Sequence, residues 1–206
     1  MHCIGLQKRY ERDLLDDVYF DNFIAKVNKA LDQMSCTIED FSNFFKPNKE
    51  KQSFAIDKVI MEILDLVDKP LRDNNIIVCY NPLETYEFIG YRNELKQILL
   101  NIINNSKDAI QLNSIENGKI NISIKREENK LIIKIADNGK GIAPEIIKRV
   151  FEPYFTTKHK SSGTGIGLYM CKMIIEESFG GSIQLSNQKS GAVCEIILKD
   201  EEKVWQ

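Results

Sequence analysis

Histidine is nearly absent from this chain: His2 and His159 are the only two in 206 residues. That excludes a histidine-rich metal site and confines imidazole chemistry to two positions. Long hydrophobic runs are missing too; none approaches the roughly 20 apolar residues that a membrane-spanning helix requires. The opening residues Met1, His2, Cys3, Ile4 and Gly5 carry no basic segment followed by an apolar one, so no secretory leader is read there. Cysteine is sparse and unpaired in pattern, with Cys3, Cys36, Cys79, Cys171 and Cys194 scattered and no C-x-x-C motif. The expectation is reduced thiols and a cytoplasmic location. Neither charge sign is in excess: 28 Lys and Arg oppose 30 Asp and Glu, a net charge of -2. Nothing in that balance points to nucleic acid as a partner.

What is present begins with a heptad pattern. Phe20, Ile24, Val27, Leu31, Met34, Ile38, Phe41 and Phe45 recur at alternating steps of four and three, the seam of a coiled coil or four-helix bundle. Pro47 ends it. Residues 1–14 read as the tail of a preceding helix, turned by Asp16 and Asp17, and are too short to cover the whole seam. The uncovered remainder predicts a partner, either a second copy of the chain or sequence upstream. The hydrophilic stretch from Lys46 to Ser53 reads as a linker, dividing a helical segment, residues 1–50, from a second domain, residues 51–206.

In that second domain the spacing predicts helices over 55–73, 92–112, 144–149 and 165–178. Strands are expected over 76–80, 86–89, 119–126, 130–136, 181–187 and 192–199. Ile120, Ile122 and Ile124 alternate and are answered by Leu131, Ile133 and Ile135, a hairpin pattern. Helices and strands interleave without a strict βαβ repeat, so the expected class is α/β: a two-layer α/β sandwich with a mixed sheet and helices on one face.

Four stretches carry chemistry. On the 92–112 helix, Glu94, Gln97, Asn101, Asn104, Asn105 and Asp108 share one narrow face while apolar residues wrap the rest. Buried amides need partners, so something polar is expected against that stripe. Directly after a strand comes Asp137, Asn138, Gly139, Lys140, Gly141, Ile142. Its glycines permit close approach of a flat ligand and its carboxylate can accept from an exocyclic amine, although a turn of this composition is also a common structural connection. Gly163, Thr164, Gly165, Ile166, Gly167, Leu168 opens a helix, where backbone amides favour phosphate oxygens. It is neither a dinucleotide fingerprint nor a Walker A loop. Between them, Phe151 to Ser162 has aromatics first and small polar residues last, a composition that suits a lid. His159 lies in that run and reads as a solvated lid residue.

In this order the four stretches resemble the boxes of the nucleotide-binding domain of sensor histidine kinases, a branch of the ATPase superfamily that includes DNA gyrase. ELKQILLNIINNSKDAI is similar to the N box, DNGKGI and GTGIGL to the two glycine boxes, and FEPYFTTK to the F box. The heptad helix is similar to the second helix of the family's dimerisation and phosphotransfer bundle. The resemblance implies ATP and Mg²⁺ as cofactors, with Asp137 on the adenine amine and Gly139 and Gly141 shaping the base pocket. It implies Asn105 as a Mg²⁺ ligand with Asn101 lining the same region. Gly163, Gly165 and Gly167 would cradle phosphates, Thr164 would help close that turn, and Lys158 would offset charge. Asp108, Ile142, Tyr154 and Leu168 complete the expected ATP-binding set.

In the hydrolysing branches a glutamate that activates water stands one helical turn before the metal-binding asparagine. Here that position is Asn101, which favours transfer to an acceptor over hydrolysis. One departure stands out: the family's acceptor box, His-Glu/Gln-x-x-x-Pro-Leu, occurs nowhere in these residues. His2, followed by Cys-Ile-Gly-Leu, is read as a non-acceptor, and the chain as the catalytic part of a kinase. The implied partners are ATP, a response regulator reached through the phosphorylated bundle of a parent protein, and a second copy forming a homodimer. This portion is expected to be cytoplasmic, with a membrane anchor elsewhere in the parent left open. Two other readings stay open: an ATPase of the same superfamily, and a non-catalytic nucleotide-binding dimerisation module.

Overall fold

The computed structural model describes residues 18–28, 31, 35, 50–82, 84–158 and 164–200. The chain divides into two compact units, residues 1–46 and 47–206. In the first, residues 18–28 are helical, and the seam positions Phe20, Ile24, Val27 and Leu31 are all exposed. Met34, Ile38, Phe41 and Phe45, the turn at Asp16 and Asp17, His2 and the first half of the expected linker, residues 46–49, lie outside the described residues.

The second unit starts with β1 (Gln52–Ala55) and runs directly into α1 (Ile56–Arg72). Ile56, Val59, Ile60, Ile63, Val67 and Leu71 recur at helical spacing and are all buried, so one face of α1 supplies core. The helix gives way at Asn75, which adopts φ 54°, a left-handed conformation that asparagine tolerates better than most residues. β2 (Ile76–Tyr80) and β3 (Glu87–Gly90) lead to α2 (Arg92–Leu112). The hairpin β4 (Gly118–Glu127) and β5 (Lys130–Asp137) follows, then the one-turn α3 (Pro144–Ile147), α4 (Gly167–Ser178), β6 (Ser182–Gln188) and β7 (Gly191–Lys199).

Five strands form one mixed sheet in the order β2-β4-β5-β7-β6, with β2 parallel to β4 and the other pairs antiparallel. Strand alternation separates its two faces. Ile120, Ile122, Leu131, Ile133, Ile135, Cys194, Ile196 and Leu198 are buried on the helix side. Lys119, Asn121, Ser123 and Lys125 are exposed on the other, where Lys134 pairs with Glu195 across β5 and β7. This is the expected two-layer sandwich with a mixed sheet. α1 and α2 are joined at their surface by Glu62, which meets both Arg92 and Lys96.

The linker expectation is corrected at its end. Gln52 and Ser53 are strand residues, paired with Gly90 and Ile89 of β3 in a separate two-stranded sheet. That pairing is secured by tertiary contacts. Phe54 packs edge-on against Phe88, and Phe88 lies 6.0 Å from Phe179 at the end of α4. Asp57 ties the unit further, accepting from the Tyr80 hydroxyl and from the Tyr86 amide at 2.9 Å.

Candidate nucleotide-binding site

The site follows from strand register. Ile135, Cys194 and Leu185 are neighbours across β5, β7 and β6, so one cross-strand row forms an apolar floor. Asp137 is two residues beyond Ile135, hence on the same helix-facing side, and buried at the strand end with 7% exposure. α2 contributes Ile102, Asn105, Ser106 and Ala109, and Leu168 from the first turn of α4 closes one side. With Gly141 and Ile142 at the rim these residues enclose a pocket of about 80 Å³.

A buried carboxylate is costly unless its lone pairs are used. Asp137 Oδ1 accepts from the amides of Gly139 at 2.8 Å and Ala192 at 3.3 Å, and Oδ2 accepts from Ser106 Oγ at 3.2 Å. An ionised carboxylate has about four acceptor positions, and these three protein contacts leave Oδ2 with capacity for one further donor in the pocket. The opposite wall is fixed by Asn187 of β6: its Oδ1 accepts from the Ile142 amide at 2.8 Å while its Nδ2 donates to the Ile142 carbonyl at 2.7 Å. This two-armed clip holds the backbone after the glycine turn.

A polar line runs from α2 toward the segment after α3. Asn105 Nδ2 donates to Asn101 Oδ1 at 2.8 Å. Asn105 Oδ1 in turn accepts from Lys158 Nζ at 3.0 Å, and the same ammonium donates to Asp108 Oδ2 at 2.6 Å. Asn101 therefore orients the Asn105 amide so that its oxygen points at a cation. Asn101 is itself pressed against the start of α4, where a Cβ on Gly167 would fall 2.3 Å from Asn101 Nδ2. Gly165 has φ +69° and faces the Tyr154 and Phe155 backbone so closely that a Cβ would lie 2.5 Å from the Tyr154 carbonyl carbon, a position open only to glycine. Thr164 Oγ1 accepts from the Ile166 amide at 3.4 Å. α4 begins with no side-chain cap, so its first amides remain available to an anion.

The structure thus gathers Asn105, Asp137, Gly141, Ile142 and Leu168 around one pocket, with Gly139 bonded to the Asp137 carboxylate. Asn101, Asp108 and Lys158 form the adjoining polar line, and Thr164, Gly165 and Gly167 lead into α4. Tyr154 is 73% exposed and joins through its backbone contact with Gly165. Gly163 and His159, with most of the expected lid's polar end, lie outside the described residues. Sequence reading missed Ser106, Asn187, Ala192 and Cys194; the stripe of amides on α2 does point to its neighbour Ser106, but the other three are brought in by strand register alone.

Two groups of this unit hold their protons more tightly than usual, one in the pocket floor and one at the end of β2. Burial pushes the Cys194 thiol up to about 12, and burial followed by its bond to Asp57 raises the Tyr80 phenol well above its ordinary range. Both folded-state values are raised, so each group holds its proton in the fold and loses it first in the unfolded chain. Stability is then fully present below the unfolded thiol value of 9.0 and declines as pH rises through it. The Cys194 contribution is lost progressively as pH rises from 9.0 toward about 12. Denaturant titrations of the unaltered chain and Cys194→Ala should show the alkaline decline made shallower in the variant.

Known proteins bear on this geometry. Residues 90–202 match the histidine kinase-, DNA gyrase B-, and HSP90-like ATPase family. Sporulation kinase D of Bacillus subtilis is 31% identical over 89% of this chain and 34% of its own length. The chain spans about a third of the length of the curated relatives it matches. Among solved structures, the catalytic domain of histidine kinase ThkA superposes with a TM-score of 0.66 at 31% identity, covering 73% of this chain and 96% of that one. Histidine kinase ThkA in complex with response regulator protein TrrA gives 0.76 at 26% identity, over 96% of this chain and 56% of that one. Among the described residues no helix is long and apolar enough to cross a membrane.

Proposed function

The chain belongs to the histidine kinase-, DNA gyrase B-, and HSP90-like ATPase family, and on that premise we propose that residues 51–206 bind Mg²⁺-ATP as the catalytic domain of a two-component sensor histidine kinase. The γ-phosphoryl group goes to a histidine on a bundle helix that supplies the acceptor box missing from these 206 residues. The observation that carries the reading is Asp137: a buried carboxylate above an apolar floor, with three protein donors and capacity for one more. Adenine fits that demand, with an exocyclic amine for the carboxylate and a flat apolar body for Ile135, Leu185 and Cys194.

Phosphates then extend along α2 toward the uncapped start of α4, where backbone amides favour them. The donor set suits Mg²⁺, which takes hard oxygen ligands and commonly only one or two from protein, the rest coming from phosphates and water. Asn105 Oδ1 would hold it, with Asn101 orienting the Asn105 amide, and the ion would supply charge neutralisation for the phosphates. Asn101 is an amide and cannot take a proton from water, which favours phosphoryl transfer over the plain ATPase alternative. The exposed seam at Phe20, Ile24, Val27 and Leu31 supports homodimerisation through the helical segment. A response regulator as downstream partner is supported by the ThkA relative, which is solved with one.

Calorimetry tests the binding claim. ATP should bind more tightly than GTP, because a keto oxygen facing Asp137 leaves the carboxylate unpaired, and a chelator should weaken ATP. Equal affinities for ATP and GTP would overturn the adenine assignment. An ATP affinity unmoved by chelator would overturn the metal assignment.

A further inference from the structure

Lys158 donates to Asn105 Oδ1 at 3.0 Å and to Asp108 Oδ2 at 2.6 Å. These two acceptors are three residues apart on α2, on one face of the helix. The NH₂ of the Asn105 amide is committed to Asn101, which fixes the direction of Oδ1, the single side-chain oxygen that Asn105 has for a cation. The ammonium is delivered by a fixed piece of backbone: the Lys158 amide donates to Thr156 Oγ1 at 3.1 Å, while Phe155 stacks under the Arg149 guanidinium at 4.5 Å. Lys158 is 30% exposed and Asp108 36%, which makes this a half-buried pair sheltered from full solvent screening.

We propose that Lys158 and the divalent metal share one seat, Asn105 Oδ1, so that Lys158 determines how strongly the site discriminates metal-bound from metal-free nucleotide. The inference rests on the assignment of Asn105 as the metal-holding residue. Metal–oxygen distances for Mg²⁺ are about 2.0 to 2.1 Å, so a metal on this oxygen and the ammonium where it now sits would be within about 5 Å of each other. Like charges at that range repel strongly in a half-buried site. The metal therefore enters by displacing Lys158. Without metal, Lys158 stays at the seat and serves as the counter-ion for the phosphates. Asp108 is a positioning residue in this scheme: it holds the ammonium against Asn105 and makes displacement harder.

The quantity to measure is the ratio of affinities for a non-hydrolysable ATP analogue with Mg²⁺ and with chelator, by calorimetry, together with the Mg²⁺ concentration giving half the full effect. Lys158→Met should raise the ratio about tenfold or more from both sides: metal-free binding weakens and the Mg²⁺ half-point falls. Asp108→Asn leaves the lysine in place but loosens it, so the half-point falls while metal-free binding is largely kept. A Lys158→Met variant that weakens binding equally with and without Mg²⁺, or leaves both ratio and half-point unchanged, overturns the shared seat. So does an Asp108→Asn half-point equal to that of the unaltered chain. Asn105→Ala separates this idea from its premise. If it abolishes the Mg²⁺ effect while Lys158→Met leaves the ratio unmoved, Asn105 keeps its metal role and the shared seat alone falls. If the Mg²⁺ effect survives Asn105→Ala, premise and inference fall together.

Discussion

Asp137→Asn is expected to weaken ATP binding by about a hundredfold while leaving the protein folded. The substitution keeps an oxygen to accept from the Gly139 and Ala192 amides, so the turn retains its support. On the other side an NH₂ replaces Oδ2, turning an acceptor into a donor where the adenine amine is also a donor. Hydrogen bonds to a charged group contribute about 1.5 to 3 kcal/mol, and confronting two donors adds to the loss, which places the effect near two powers of ten. The same NH₂ suits a keto oxygen, so the gap between ATP and GTP should narrow or reverse. Calorimetry with both nucleotides reads this, and a parallel melting curve shows whether the fold survived. ATP affinity within threefold of the unaltered chain would remove Asp137 from the base pocket.

That experiment rests on a feature only half legible in the sequence. The D-x-G-x-G turn announces a carboxylate at a strand end, and the alternation of Leu131, Ile133 and Ile135 places Asp137 on their side of β5. What the carboxylate meets there depends on β7 and on α2, through the Ala192 amide and Ser106. Local periodicity carries no record of such partners. The floor residue Cys194 reads in sequence as one more scattered cysteine and becomes a pocket residue only when β7 pairs with β5 and β6. Asn187 is similar: it is simply the last residue of the expected strand 181–187, yet it clamps Ile142 from 45 positions away. β1 was hidden for the same reason. Gln52 and Ser53 have no strand character of their own and take it from β3.

The glycines of the second box show the converse case. Their spacing suggests a phosphate cradle, and the structure adds a packing requirement at two of them. Gly167 makes room for Asn101, and Gly165 turns left-handed beneath Tyr154. Because Asn101 also bonds Asn105, the start of α4 and the cation-facing amide of α2 are mechanically joined. The proposed phosphate cradle and the proposed metal-holding residue thus share one contact, so two boxes far apart in the chain have to fit each other.

Purified alone with labelled ATP and Mg²⁺, the chain is expected not to phosphorylate itself. Phosphoryl transfer needs an acceptor held in line with the γ-phosphate, and the rate advantage comes mostly from that positioning. Only His2 and His159 are available. His2 is followed by Cys3, Ile4, Gly5 and Leu6, with neither the acidic neighbour nor the proline of an acceptor box, and His159 stands in a Lys- and Ser-rich run with no acidic neighbour in sequence to orient its ring. Label should appear instead on a supplied bundle that carries an acceptor box, since the seam beginning at Phe20, Ile24, Val27 and Leu31 is exposed and open to pairing with such a helix. The comparison is acid-labile phosphate on the unaltered chain, on His2→Ala and on His159→Ala, each with and without the added bundle. Strong self-labelling that disappears in either variant would make that histidine the acceptor and remove the need for a separate bundle. Labelling confined to the bundle, and lost when Asp137→Asn removes the nucleotide, would connect the adenine pocket to phosphoryl transfer through a partner's imidazole.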